Sequence, residues 1–182
     1  QEILDLIESL PTDKAGERWK TVLRFLAAYG LRPVEIQHLS IHADDGRLWC
    51  DYIKRSGKGE TDPRVLKPLH EEWEQEWGLL EQVANGLDLP PFGGGVANAG
   101  RRYLTRQQGW KPLEAKGMTM YSFRHGYALR AHQQYGLSAR IAARVMGHGV
   151  ETHNKNYGSW ADVDEIDKAY EAGKRYRQRL KG

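Results

Sequence analysis

Apolar residues recur at helical spacing through the first part of the chain. A short amphipathic helix is predicted over residues 1–10, and Pro11 ends it because proline cannot continue a helix. A longer helix is predicted from Asp13 towards Tyr29, with Gly30 as its C-cap. Its apolar face is formed, at the spacings i, i+3, i+4 and i+7, by Trp19, Val22, Leu23 and Leu26.

A second helix is predicted to begin at Pro33, a residue suited to the first helical position, and to continue to Leu39. Arg32 then lies in a tight bend between two helices, and Glu35 follows one turn later. A nearby carboxylate can orient a guanidinium, whose planar fork suits two oxygens of a phosphate. The bend alone, however, favours a simple surface ion pair between Arg32 and Glu35.

Two strands are predicted over residues 47–54 and 64–69, joined by a polar turn over residues 56–63. The turn sequence Asp44-Asp45-Gly46 precedes them and connects an additional short strand to the first. These residues therefore predict a small antiparallel sheet between helical segments.

The rest of the chain is predicted to be helical, apart from a glycine- and proline-rich loop over residues 89–95. The predicted helices span residues 70–84, 96–108, 122–134, 138–146 and 161–180. Ser122 and Ser138 are natural N-caps, so Arg124 and His125 fall in a first helical turn, where free backbone N–H groups favour an anion. One side of the closing helix carries Ile166, Ala169, Tyr170 and Gly173.

Composition adds only broad limits to this pattern. The 182 residues are enough for one domain with a sizeable core, and 40% hydrophobic with 28% charged residues is ordinary for a globular protein. No apolar run is long enough to span a membrane, and the single Cys50 excludes an internal disulfide, so a reducing cytoplasmic compartment is expected. The net charge of +3 permits nucleic-acid binding without requiring it.

The candidate chemistry lies in the last third of the chain. An Arg124-His125 pair opens one predicted helix, and Gly147-His148-Gly149 closes the next. Tyr157 follows nine residues after His148. An arginine, a histidine and a tyrosine brought together can bind a phosphate, move a proton and attack phosphorus.

These residues resemble the carboxy-terminal signature of the tyrosine recombinases, the phage-integrase family. The resemblance is carried by the stretches Met120–Tyr127, Val145–Gly149 and Asn156–Gly158. In it, Arg124 matches the second arginine, His148 the late histidine and Tyr157 the nucleophile.

Residues 29–36 resemble the first-arginine box of the same family, and the matches together extend from about residue 14 to 170. Arg32 matches the first arginine and Glu35 its companion carboxylate. The resemblance therefore favours a functional Arg32, oriented by Glu35, over a simple surface ion pair.

The family also implies a lysine from the hairpin, and two residues compete for it. Lys58, in Gly57-Lys58-Gly59, resembles the common form of that hairpin, whereas Lys54 at a strand end resembles longer-loop members. Lys54 is slightly favoured because a strand end is better fixed than a long turn.

Tyr121 departs from the pattern, because the family commonly has His or Lys three residues before the second arginine. A tyrosine there can donate a hydrogen bond to phosphate but is a poor base, its ordinary pKa being about 10. His125 matches a histidine that packs rather than reacts.

The resemblance implies an α+β, mainly α-helical catalytic domain and DNA strand transfer through a 3′-phosphotyrosyl link, without metal, cofactor or ATP. It implies double-stranded attachment sites, a homotetramer on DNA, accessory DNA-bending proteins and a place in the bacterial nucleoid or a phage-infected host. Residues 1–182 are expected to form one catalytic domain with a core over about residues 14–160, and the family's amino-terminal clamp domain is expected outside this chain. Residues 161–182 either dock on a neighbouring subunit or pack on their own domain.

Two alternatives stay open. A type IB topoisomerase or a telomere resolvase shares this chemistry, and joining of two different duplexes would separate it from a recombinase. A DNA-binding module that has lost catalysis is favoured only by Tyr121.

Overall fold

The computed structural model describes residues 1–56, 59–158 and 163–179. Its helices are α1 (Glu2–Ser9), α2 (Lys14–Tyr29), α3 (Glu71–Glu76), α4 (Leu79–Ala84), α5 (Val96–Leu104), α6 (Lys111–Ala115), α7 (Ser122–Gln133), α8 (Ala139–Met146), α9 (Val150–Tyr157) and α10 (Val163–Arg179). Its strands are β1 (Leu39–Ile41), β2 (Leu48–Cys50), β3 (Arg55–Ser56), β4 (Gly59–Glu60) and β5 (Arg64–Val65), and short 3-10 helices span Pro33–Gln37 and Gln108–Trp110. The predicted α+β, mainly helical fold is confirmed.

Helix α2 is the central element of the core. The Asp13 carboxylate accepts a hydrogen bond of 2.8 Å from the Gly16 amide, which caps the helix as an N-cap residue should. Gly30 ends it with a left-handed φ of 62°, and a Cβ there would lie 2.5 Å from the Tyr127 ring of α7. Gly30 thus lets α7 pack closely on the end of α2.

The small sheet has the antiparallel order β1-β2-β5, with Leu39 opposite Cys50 and Cys50 opposite Arg64. A separate hairpin pairs β3 with β4 and occupies the start of the segment predicted as a polar turn, so that prediction is corrected. The predicted strand over residues 47–54 is also shorter, because β2 ends at Cys50. Arg64, in β5, is thereby placed beside the most buried part of the sheet.

Several predicted boundaries are wrong for local physical reasons. The helix expected from Pro33 is a 3-10 turn that ends at Gln37, since Leu39 already pairs in β1. The helix expected over residues 70–84 is two helices, because Gly78 adopts a left-handed φ of 58° between them. The helix predicted over residues 96–108 ends at Leu104.

The two predicted serine caps have different outcomes. Ser138 caps α8 and accepts a hydrogen bond from the Ile141 amide, as predicted. Ser122 does not cap α7: the capping position is Tyr121, and the Ser122 hydroxyl accepts from the Thr119 amide outside the helix. Helix α9 was not predicted as a helix.

The core has two parts that meet at α7. One is built around α1, α2 and the sheet, and the other packs the buried side of α7 against α8 and Tyr157. None of the described helices is long and apolar enough to cross a membrane. The ends of α2, α8 and α9 converge near α7, and the polar residues considered next lie there.

Candidate active site

Arg32 is held in place from both sides of its bend. Its backbone N–H donates to Glu35 Oε2 at 2.8 Å, and its Nη1 donates to Glu35 Oε1 at 2.5 Å. Its Nη2 donates to the Gly147 carbonyl at 2.7 Å, and the side chain is 12% exposed. The bend therefore presents an ordered guanidinium at the surface of the cluster.

Arg124 lies deeper, at the third position of α7, and only 4% of it is exposed. Its Nη1 donates to the Gly30 carbonyl and its Nη2 to the Met146 carbonyl, each at 2.6 Å. Nη2 also lies 2.9 Å from His148 Nδ1. Burial and the neighbouring Arg32 lower the pKa of Arg124 to about 10, so it stays charged at neutral pH.

Arg64 belongs to the same cluster, although sequence reasoning assigned it no role. Its Nη1 and Nη2 donate to Glu35 Oε1 and Oε2 at 3.0 and 2.8 Å. Glu35 is fully buried, and burial alone would raise its pKa, but the hydrogen bonds and charge of Arg64, with Arg32 and Arg124, bring the pKa below its usual value. Glu35 is therefore an ionised carboxylate surrounded by three arginines.

The C-terminus of α8 completes these contacts. The last carbonyls of a helix have no partner within the helix and carry the negative end of its dipole. Three successive carbonyls there accept from three different arginines: Val145 from Arg64 at 2.9 Å, Met146 from Arg124 at 2.6 Å and Gly147 from Arg32 at 2.7 Å. Each guanidinium is thus oriented by rigid backbone as well as by Glu35 or His148.

Tyr157 ends α9 with its side chain 4% exposed. Its ring centroid is 6.2 Å from that of His148, and the His125 ring meets it edge-on at 5.6 Å. Burial raises the pKa of Tyr157, while the charge and hydrogen bond of Arg124 and the charge of Arg32 oppose the shift. Tyr157 is consequently a protonated phenol beside two cations.

Comparisons with known proteins give relatives both in sequence and in fold. The chain is 30% identical over 158 residues to Excisase A of Nostoc sp., which covers 80% of this chain and 32% of that protein. It is 28% identical over 159 residues to tyrosine recombinase XerD of Staphylococcus haemolyticus, covering 81% of this chain and 52% of that protein. No protein-family model matches the chain.

Solved structures show the same fold. A Tn1549 transposon integrase bound to circular intermediate DNA superposes with a TM-score of 0.60 and 18% identity, covering 93% of this chain and 63% of that one. The XerA recombinase superposes with a TM-score of 0.54 and 20% identity, covering 94% of this chain and 62% of that one. In sequence and in fold, this chain is similar to the tyrosine recombinases. It spans about a third to a half of the length of the curated relatives it matches.

The residues predicted for a tyrosine recombinase site fall into two groups. The structure brings Arg32, Glu35, Arg124, His148 and Tyr157 together, with His125 against the Tyr157 ring. Tyr121, at the start of α7, is 45% exposed, and among the described residues no hydrogen bond, ion pair or ring contact is found between its side chain and this cluster. Lys54 is exposed, and its backbone pairs with Thr61 next to β3 rather than ending a longer strand. Lys58 lies outside the described residues.

A second residue missed from the sequence is His153, which is 1% exposed on α9. Its Nδ1 lies 2.8 Å from His148 Nε2, and its Nε2 lies 2.7 Å from His132 Nε2. His153 precedes Tyr157 by four residues, so both lie on one helix face. That spacing was the one signal in the sequence that α9 is helical and that His153 faces inward.

Among the described residues, no group of three or more His, Cys, Asp or Glu side chains is arranged to hold a metal ion. The positive field of this cluster comes from Arg32, Arg64 and Arg124, against the single negative charge of Glu35.

Proposed function

We propose that this chain breaks and rejoins DNA strands by transesterification, as a site-specific tyrosine recombinase. The observation that carries the proposal is the convergence of Arg32, Arg124, His148 and Tyr157, which are distant in sequence, around the ends of α2, α8 and α9. A simple surface ion pair between Arg32 and Glu35 would not require these distant residues to lie together.

The phosphate is assigned to Arg32 and Arg124. Both guanidiniums carry N–H donors in a fixed planar array, and Glu35 and the α8 carbonyls hold them in place before any substrate arrives. With three arginines and one carboxylate, the cluster has a net charge of 3 − 1 = +2. Such a preorganised field favours the scissile phosphate and, more strongly, the extra negative charge of the pentavalent transition state.

Tyr157 is assigned as the nucleophile. Its Oη forms a bond to phosphorus while the bond from phosphorus to the 5′-oxygen breaks, which leaves a 3′-phosphotyrosyl link and a 5′-hydroxyl. The phenol must lose its proton, and His148, which lies against the Tyr157 ring, is assigned to assist that transfer or to hydrogen-bond a non-bridging oxygen. Because both ring nitrogens of His148 are engaged in the free domain, this role requires that bound DNA replace one of those two contacts. Lys54 or Lys58 is assigned to protonate the leaving 5′-oxygen, and Tyr121 to donate a hydrogen bond to the phosphate.

The biological setting is proposed from the relatives, because the chain spans only part of each. Their printed names are excisase, tyrosine recombinase and transposon integrase, the last bound to DNA. We assign double-stranded DNA as substrate, a homotetramer on DNA with accessory DNA-bending proteins, and the bacterial cytoplasm as compartment. We also propose that residues 1–182 act as one catalytic domain beside a separate clamp domain. Tyr170 on α10 is 71% exposed, which leaves it available to a neighbouring subunit.

The test is covalent capture of DNA by the protein with its full complement of domains. A nicked duplex carrying candidate attachment sequence is incubated with wild type, Tyr157→Phe and Tyr170→Phe, and covalent adducts are resolved on a denaturing gel. We expect an adduct with wild type and Tyr170→Phe and none with Tyr157→Phe, which lacks only the phenolic oxygen. An adduct that persists in Tyr157→Phe would move the nucleophile elsewhere. Failure of wild type to form any adduct would favour the binding module. Relaxation of a supercoiled circle that carries the same sequence, without joining of two duplexes, would favour the topoisomerase.

A further inference from the structure

Three histidines form a continuous hydrogen-bonded chain that leads away from Arg124. His148 Nδ1 lies 2.9 Å from Arg124 Nη2, and His148 Nε2 lies 2.8 Å from His153 Nδ1. His153 Nε2 lies 2.7 Å from His132 Nε2, and His132 Nδ1 lies 2.8 Å from the Leu137 carbonyl. Both nitrogens of all three rings are therefore engaged.

The two ends of the chain fix its direction. A guanidinium can only donate, so His148 Nδ1 accepts from Arg124 and the His148 proton resides on Nε2. A carbonyl can only accept, so the His132 proton resides on Nδ1 and its Nε2 accepts. His153 must then accept at Nδ1 and donate at Nε2. One neutral form of each ring satisfies every contact, and adding a proton to any ring would place two N–H groups face to face.

The surrounding charges also favour three neutral rings. Arg124 faces His148 from α7, while Arg32 and Arg64 approach from the first bend and from β5. His125 and Tyr157 are the titratable groups packed on the other side. Burial and the charge of Arg124 lower the pKa of His148 to about 3, and burial with the neighbouring His132 lowers the pKa of His153 to about 4.

We propose that His153 is a positioning residue: by accepting the Nε2–H of His148 it locks that ring with its Nδ1 lone pair directed at Arg124. The inference rests on the proposed function for its consequence, because Arg124 is the group assigned to the phosphate. His132 in turn orients His153, and His132 is itself fixed by the Leu137 carbonyl in the turn between α7 and α8. The three hydrogen-bonded histidines therefore link this turn to Arg124. A histidine that filled space alone would not need either hydrogen bond.

Substitution of His153 by asparagine or by glutamine tests its hydrogen bonds to His148 and to His132 separately. The Asn amide reaches the position of the imidazole Nδ1, and the Gln amide reaches that of Nε2. His153→Asn therefore keeps an acceptor for His148, and His153→Gln keeps a donor for His132. His153→Phe keeps the ring shape and loses both bonds.

The primary measurement is nitrogen-15 long-range correlation spectroscopy of the histidine rings in the labelled 182-residue chain at neutral pH. We expect wild type to carry its protons on His148 Nε2, His153 Nε2 and His132 Nδ1. The His148 Nε2 proton should stay protected from exchange in His153→Asn and become unprotected in His153→Gln, while the Nδ1–H form of His132 should persist in both variants because the Leu137 carbonyl accepts that proton. A wild-type His153 protonated on Nδ1, or equal protection of His148 in Asn, Gln and Phe, would overturn the proposal.

Covalent capture supplies the second measurement, on the nicked duplex described above. We expect His153→Asn to capture DNA at a rate near that of wild type. His153→Gln and His153→Phe should be slower by about 10–100-fold, the range typical for loss of a residue that orients a site residue. Equal rates in all variants would remove the positioning role even if capture itself works. If wild type captures no DNA, the proposed function fails while the ring spectra still decide the hydrogen-bonded chain. Circular dichroism checks the fold of each variant, and the Asn–Gln contrast compares two amides of similar polarity.

Discussion

Arg64 and Glu35 form an ion pair through two parallel hydrogen bonds inside the domain, at 3.0 and 2.8 Å, with side chains 6% and 0% exposed. They are 29 residues apart, and the pair joins the sheet to the bend that carries Arg32. Both oxygens of Glu35 also accept from Arg32. Glu35 thus connects one arginine that stays inside the domain to one that is proposed to bind substrate.

Replacing Glu35 by glutamine should be severely destabilising. The isosteric amide removes the single negative charge shared by Arg32, Arg64 and Arg124, and an uncompensated buried charge typically costs about 3–5 kcal/mol. The measurement is urea unfolding of wild type and Glu35→Gln at neutral pH.

Glu71→Gln is the matched control, since Glu71 is exposed at the start of α3 and should change the free energy of unfolding by less than about 0.5 kcal/mol. Arg64→Lys keeps the positive charge but loses the planar guanidinium that makes two parallel hydrogen bonds. The free energy of unfolding that it loses should therefore lie between the losses of Glu71→Gln and Glu35→Gln. Equal stability of Glu35→Gln and Glu71→Gln would contradict a structural role for the carboxylate.

Gly147→Ala should be more destabilising than Gly136→Ala. Gly147 is the C-cap of α8 and Gly136 lies in the turn after α7, and both have a left-handed φ, of 70° and 60°. Both variants therefore carry the same backbone strain of about 1–3 kcal/mol. A Cβ on Gly147 would also lie 2.7 Å from Arg64 Nη1, which Glu35 and Val145 hold in place, whereas a Cβ on Gly136 meets nothing within 4 Å.

The difference between the two variants therefore isolates the crowding of Arg64. We expect it to be about 1–3 kcal/mol in urea unfolding, with covalent capture of DNA reduced in Gly147→Ala alone. Equal losses in both variants would mean that the guanidinium moves aside without consequence.

The features that could be predicted from the sequence are those that depend on residues close together along the chain. Asp13, Gly30 and Ser138 specify helix ends through their own backbone and side-chain preferences, and the structure places them there. The Arg32 and Arg124 boxes could be identified from short motifs. Arg64 could not be identified, because no residue near it in the sequence indicates that it pairs with Glu35. The only signal for His153 was its spacing of four residues from Tyr157, which does not indicate its contacts with His148 and His132.

The errors have the same physical origin. Helix α9 (Val150–Tyr157) was missed because its apolar side is formed by a histidine and a tyrosine rather than by aliphatic residues. The predicted helix over residues 70–84 ignored Gly78, whose left-handed conformation depends on how two short helices pack. Ile166 and Ala169, predicted on one face of the closing helix, have side chains outside the described residues, so that prediction stands untested.

Lowering the pH should destabilise the folded domain already at pH values above those at which carboxylates titrate. The pKa values of His148 and His153, about 3 and 4 in the folded chain, lie below the ordinary value of 6.5. Between about pH 6.5 and pH 4 the unfolded chain then binds more protons than the folded one, so the free energy of unfolding falls as pH falls. The depressed pKa of Glu35 acts in the same direction, but only below about pH 4.5.

Urea unfolding at pH 7.5 and pH 5.0 separates these effects. Wild type should lose stability between the two values, and His153→Asn should lose less because one titrating ring is gone. A wild-type stability that is unchanged or higher at pH 5.0 would show that the histidines are not held neutral.

The hairpin lysine gives the last prediction, which depends on the bond that breaks during strand cleavage. A 5′-oxygen needs a proton to leave, whereas a 5′-bridging sulfur leaves as a thiolate without one. If Lys54 is the general acid, Lys54→Ala should slow covalent capture on ordinary nicked DNA by about 100-fold or more and recover on the phosphorothiolate. Lys58→Ala should then be slowed far less. Lys67→Ala is the control, because its side chain is exposed and the contribution of Lys67 to the fold is a backbone carbonyl that accepts from Tyr127. Recovery of Lys58→Ala instead would assign the proton to Lys58, and small, equal effects of both substitutions would remove the lysine from the proposed mechanism.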